Sequence, residues 1–173
     1  MRRINPLGRI PSLVLDDGEV LIDSAAILDH LDEQVGPERA LVPVSGPARR
    51  AALRIIALAS GAIVKAGAIV YDRKLRPPEA QYAPWQDRCG VQLASALRAL
   101  DAAVPKGWFG GQGPRQADIT VGCALGYLRL RLPEAFPPGR YPALERFVGA
   151  CDELAAFRAT RPADDEKMPA QPI

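Results

Sequence analysis

The chain has 173 residues, of which 48% are hydrophobic and 24% charged, and a formal net charge of +2. That hydrophobic share supports one or two small domains with a sizeable core and excludes wholesale disorder. Arginine is scattered, with Arg2-Arg3 and Arg49-Arg50 the only adjacent pairs, so neither nucleic acid nor an anionic membrane is indicated as a partner.

The start of the chain carries no apolar run of the signal-peptide kind, so no secretory signal is expected. Ile10, Leu13 and Leu15 are strand formers, and Val20-Leu21-Ile22 supplies a return strand. Asp16-Asp17-Gly18 lies between them. Asp-Gly predicts a two-residue hairpin turn, with positive φ at both central positions. Pro11 lacks an N–H, so it belongs at an edge or turn. A cis bond there would turn the Ile10 backbone outward to pair with an extended peptide; the sequence leaves the isomer open.

Asp23-Ser24 precedes the helical pattern Ile27, Leu28, Leu31 and Val35, where a cap is expected. A helix N-terminus with a hydroxyl favours a carboxylate, and the adjacent Asp favours an ammonium, so the pair suits the zwitterionic end of an amino acid. Ordinary capping accounts for the same two residues. Gly36-Pro37 stops this helix, and the chain through Val44 reads as linker.

Everything afterwards reads helical. Ser45-Gly46-Pro47 starts a second helix whose Leu53, Ile56, Ile63, Ile69 and Val70 make it apolar on more than one face. Arg54 and Lys65 interrupt Ala51 to Val70, so a buried core helix is expected rather than a membrane span. Gly61 and Gly67 suggest a close helix neighbour. A third helix begins at Pro84 with the stripe Trp85, Cys89, Leu93, Leu97, Leu100 and Val104. The breaker-rich loop from Trp108 to Pro114 follows; with no strand before it and no Gly-Lys-Ser/Thr ending, it does not read as a phosphate loop. A fourth helix, about Gln116 to Leu130, is expected to face inward through Ile119, Cys123, Tyr127 and Leu130, with Gly122 and Gly126 permitting tight packing. A fifth begins at Tyr141 with Leu144, Phe147, Val148, Cys151 and Leu154 inward. From Arg158 onward a frayed tail is expected.

Cys89, Cys123 and Cys151 are odd in number and widely spaced, which fits neither a disulfide framework nor a metal knuckle. Buried free thiols in a reducing cytoplasm are expected. The single histidine, His30, is placed on or near the surface, and no metal site is nominated.

The run Asn5-Pro6-Leu7-Gly8-Arg9-Ile10-Pro11-Ser12-Leu13, followed by Asp16-Asp17-Gly18 and Asp23-Ser24-Ala25-Ala26-Ile27, resembles the second half of the thioredoxin-like domain of glutathione S-transferases. Arg115-Gln116-Ala117-Asp118-Ile119-Thr120 resembles the capping box that starts the buried helix of the family's helical domain. With Arg115 where the family has Ser or Thr, only the Asp118 half of the box remains, accepting from the Arg115 N–H. Asp118 is therefore expected to be a structural cap.

The resemblance implies a mostly α fold: a partial thioredoxin-like β-hairpin plus helix, then an all-α helical domain. The implied division is 1–36 for the thioredoxin-like part, 37–45 for a linker, 46–160 for the helical domain and 161–173 for the tail. It implies that Ile10 and Pro11 meet the cysteinyl backbone of glutathione and that Asp23 and Ser24 hold its γ-glutamyl end. Asp23 is shorter than the Glu or Gln usual there. Glutathione is then a co-substrate, with no prosthetic group, a small electrophile as the other substrate, and a homodimer as the assembly. The family's fold opens with a strand-helix-strand unit carrying the Tyr, Ser or Cys that activates the thiol, and the sequence reads as beginning after it. No catalytic residue is nominated, and little conjugating activity is expected of this chain alone. Tyr71 is placed either at an electrophile pocket or in helix packing. The alternative is a non-catalytic binding or assembly module built on the helical domain.

Overall fold

The computed structural model describes residues 3–162. The expected tail lies outside the described residues from residue 163 onward. The chain divides into two compact units, Met1–Arg49 and Arg50–Ile173.

The first unit holds β1 (Ser12–Val14), β2 (Val20–Ile22) and α1 (Ser24–Val35). The strands pair antiparallel in the register Ser12 to Ile22, Leu13 to Leu21 and Val14 to Val20. The turn is not the two-residue form. The Leu15 N–H donates to Glu19 O at 2.9 Å, and Gly18 N–H donates to Leu15 O. This leaves a three-residue loop in which only Gly18 takes positive φ, at 89°. Asp17 escapes the left-handed region, where an L side chain is strained, and its carboxylate accepts from the Glu19 N–H at 2.9 Å.

Helix α1 ends at Gly36, φ 77°, as its composition predicts. Its stripe is not covered, however: Leu28, Leu31 and Val35 all remain exposed. Asp32 fastens the following segment by accepting from the Leu41 and Val42 N–H groups, both at 2.8 Å.

The second unit is helical. α2 (Gly46–Leu75) begins in the last residues of the first unit; α3 (Ala83–Ala103), α4 (Gln116–Arg131), α5 (Pro142–Asp152) and α6 (Ala155–Ala159) follow. One core joins Ala59, Ala62 and Ala66 of α2, Leu93, Leu97 and Leu100 of α3, Val121, Leu125 and Leu128 of α4, and Leu144 and Phe147 of α5. α2 is long and apolar enough, by length and composition, to cross a bilayer, but its alanine stripe lies at the centre of this core. Of the large apolar side chains expected to bury it, Ile69 and Val70 do so, Ile56 and Ile63 are half-buried, and Leu53 is exposed. Small residues bury there because they let neighbouring helices approach closely.

α4 carries the largest departure from its predicted face. Ile119, Cys123, Tyr127 and Leu130 are not its buried stripe. Ala117, Val121, Ala124, Leu125 and Leu128 are. Helical spacing allows both faces, and alanine and glycine decide between them through packing. A Cβ on Gly122 would lie 2.6 Å from Phe157 Cζ and 3.1 Å from Cys151 Sγ, so a larger residue there must displace the Phe157 ring. Gly61 and Gly126 have no such neighbour, and Gly67 meets only Tyr127 Oη at 3.7 Å.

Two carboxylates tie the helices together. Asp118, 1% exposed, accepts from the N–H groups of Phe109 at 2.7 Å, Gly110 at 3.1 Å and Arg115 at 2.9 Å. Asp101, on α3, accepts from Ala143 and Leu144 at 2.9 Å each, and so caps α5, whose own first residue offers no side-chain cap. We predict that Asp118→Ala lowers unfolding free energy by about 3 kcal/mol or more, because three amides lose a charged acceptor. Urea titration of the variant tests this.

Cys89 and Cys151 are buried, whereas Cys123 is exposed, contrary to the expectation of three buried thiols. Burial pushes the Cys151 thiol up to about 12, with the nearby Asp118 and Asp152 carboxylates adding to the shift. Although the residue is exposed, the protein atoms around the Cys123 sulfur displace part of its water and raise that thiol too. Iodoacetamide at about pH 8 is expected to label Cys123 slowly and to leave Cys89 and Cys151 unmodified until urea is added. Intact-mass spectrometry reads the number of adducts.

Candidate functional site

The hairpin register brings the singled-out residues of the first unit together. Ser12 pairs with Ile22. Pro11 and Asp23 are the next residues outward on each strand at the open end of the hairpin, followed along the chain by Ile10 and Ser24. All four are exposed. The Ile10–Pro11 peptide is cis, which the sequence had left open. Among the described residues, no backbone partner takes the Ile10 N–H or C=O, and β1 pairs only with β2.

Asn5 holds the approach to this site, a role the sequence reading did not assign. Only 2% exposed, it donates from Nδ2 to Arg9 O at 2.7 Å. Its Oδ1 accepts from the Leu7 N–H at 2.9 Å, and its backbone O accepts from Gly8 at 2.9 Å. The signal was present as Asn5-Pro6, a turn-initiating pair whose Asn side chain can substitute for backbone partners.

Asp23 is the N-cap of α1. Its Oδ1 accepts from the Ala25 N–H at 2.9 Å, and its backbone O accepts from Ile27 at 3.1 Å. It is the one non-glycine with positive φ among the described residues, at φ 74°, ψ 138°. An L residue is strained there, and such strain collects at ligand-holding positions. One carboxylate oxygen, Oδ1, serves the cap, and the residue is exposed. Ser24 begins the helix, where unpaired N–H groups and the helix dipole favour an anion.

In the helical unit, Tyr71 and Tyr127 are electrostatic neighbours. The Tyr127 hydroxyl is held above its usual value by burial and by Tyr71, with Arg131 acting in the opposite direction. Tyr71 is 56% exposed, so helix packing does not consume it. Among the described residues, no group of three His, Cys, Asp or Glu side chains is placed to hold a metal.

Hairpin, capped helix and helical unit together define a glutathione S-transferase fold, with a thioredoxin-like N-terminal part and a helical C-terminal domain. Residues 1–39 match the profile of the glutathione S-transferase N-terminal domain, and residues 83–150 that of its C-terminal domain. Maleylacetoacetate isomerase of Pseudomonas aeruginosa is 31% identical over 172 residues, 96% of this chain and 77% of that protein. Maleylpyruvate isomerase of a Ralstonia species is 33% identical, over 94% of this chain and 77% of its own length. A glutathione S-transferase from Methylobacillus flagellatus, solved with glutathione bound, superimposes with a TM-score of 0.86 at 36% identity, over 94% of this chain and 80% of that one. A Pseudomonas fluorescens family member with bound S-(propanoic acid)-glutathione gives 0.83 at 38% identity, over 92% and 80%. The chain belongs to the glutathione S-transferase family.

Two substitutions separate the capping and backbone roles of Asp23. Asp23→Ala loses the cap and keeps an unfavourable positive φ, so it is expected to cost about 1–2 kcal/mol. Asp23→Gly loses the cap but relieves the backbone, and is expected to stay within about 0.5 kcal/mol of the parent chain. Urea midpoints of the two variants check the order.

Proposed function

We propose that this chain binds glutathione at the open end of its hairpin. The Ile10 N–H and C=O pair with the cysteinyl backbone as a short added strand, beside Pro11. Ser24 and the α1 N-terminus take the γ-glutamyl carboxylate, and the Asp23 carboxylate takes the ammonium. The observation that supports this reading is the register: the strand pairing ends at Ser12–Ile22, and Ile10-Pro11 and Asp23-Ser24 are the exposed residues next along the chain on either side. The glutathione held by the solved relatives supports it.

In this reading glutathione is a co-substrate. In the complete family fold its thiolate attacks an electrophilic carbon and the protein contributes proximity and orientation; of this chain alone little conjugation is expected. The isomerase names of two relatives point to activated double bonds as one electrophile class to assay. The proposed division remains 1–36, 37–45 and 46–160, with a cytoplasmic location and a homodimer.

An assembly role is the second reading. It is supported by the exposed Leu28, Leu31 and Val35 of α1 and by the free edge of β1, surfaces that association would cover.

Isothermal titration with glutathione tests the proposal. Binding heat is expected for the parent chain and is expected to fall at least about tenfold in affinity for Asp23→Gly, whose fold is preserved. Absence of heat at millimolar glutathione, together with a dimer in light scattering, would instead favour assembly.

A further inference from the structure

Asn5 is buried although its neighbours Ile4, Pro6 and Leu7 are exposed, as are Arg9 and Ile10. A buried polar side chain in such a segment must have its partners close by. Here all of them come from the next four residues. Oδ1 accepts from the Leu7 N–H at 2.9 Å, Nδ2 donates to Arg9 O at 2.7 Å, and the Asn5 carbonyl accepts from the Gly8 N–H at 2.9 Å. These partners fix the amide's orientation. Reversed, it would set its nitrogen against an N–H and its oxygen against a carbonyl.

The bond to Arg9 acts on the residue after it. The Arg9 C=O and the Ile10 N–H belong to one planar peptide unit. That unit is trans, because the cis bond here is the following one, Ile10-Pro11. In a trans unit the C=O and N–H point in opposite directions. Directing Arg9 O at Asn5 therefore directs the Ile10 N–H away from Asn5. Ile10 is 76% exposed, and among the described residues no backbone group accepts from its N–H. The plane cannot rotate without breaking the bond to Nδ2, and that amide is itself held at Leu7.

We propose that Asn5 is a positioning residue for the glutathione site: it fixes the Arg9–Ile10 peptide plane so that the Ile10 N–H meets the cysteinyl carbonyl without first rotating. This rests on the glutathione reading above. Asn5 touches no ligand in this account. Its contribution is preorganisation, which removes an ordering cost from binding.

Asn5→Asp keeps an acceptor for Leu7 and replaces the donor to Arg9 with an oxygen. Asn5→Ser also keeps an acceptor, is too short to reach Arg9, and adds no charge. Asp17→Ala is the control, since it deletes one side-chain bond, to the Glu19 N–H, at the far end of the hairpin. Nitrogen-15 relaxation on the full chain is expected to give an Ile10 N–H order parameter of about 0.85 in the parent and in Asp17→Ala, and below about 0.6 in both Asn5 variants. Unchanged order parameters at Leu13 and Leu21 show that the hairpin stays folded. Calorimetry is expected to show glutathione affinity lowered at least about tenfold in both Asn5 variants and changed by less than about twofold in Asp17→Ala. The proposal is overturned by an unchanged Ile10 order parameter in the Asn5 variants, by parental affinity in them, or by an equal loss in Asp17→Ala. Should the parent chain take up no glutathione, the glutathione reading fails, and the Ile10 order parameter still decides whether Asn5 fixes that plane.

Discussion

The helical unit depends on the Asp118 carboxylate. It sits in the core and gathers three amides from a loop of glycine, proline and aromatic residues that has little regular structure of its own. A buried carboxylate without partners would be strongly disfavoured, so the loop must close around it. Closing the loop brings Trp108 and Phe109 edge-on to Phe147 of α5, with centroids 5.6 and 5.5 Å apart. One acceptor thereby starts α4, orders the loop and helps to seat α5. Asp101 repeats the device at the first turn of α5. In both cases a carboxylate accepts from amide groups that lie outside its own helix.

The hairpin unit uses the same economy at its surface. Asn5, Asp17, Asp23 and Asp32 each satisfy backbone N–H or C=O groups within ten residues, and together they hold a short two-stranded sheet and one helix in shape. A two-stranded sheet is marginal alone, so these local bonds matter more than strand pairing. Their consequence for function is geometric. They leave Ile10 and the start of α1 at Ser24 exposed.

Much of the architecture was legible because it is local. Breakers at Gly36-Pro37, Pro77-Pro78 and Pro105 bound the helices close to where they end. The stripe of α3 was read correctly at Cys89, Leu93, Leu97 and Leu100, since one face of that helix is clearly the more apolar. α4 was misread because both of its faces carry apolar residues. Periodicity cannot choose between Cys123-Tyr127 and Val121-Leu125, whereas the close approach of Phe157 at Gly122 can.

The sequence by itself determined the family pattern, the helix limits and the candidate residues Ile10, Pro11, Asp23 and Ser24, because caps, breakers and turn signals act over a few residues. Tertiary structure decided the rest. It selected the buried face of α4, exposed Cys123 and recruited Asp101 to cap a helix 42 residues away. Those outcomes depend on which side chains distant segments bring into contact, and no spacing along one chain encodes that directly.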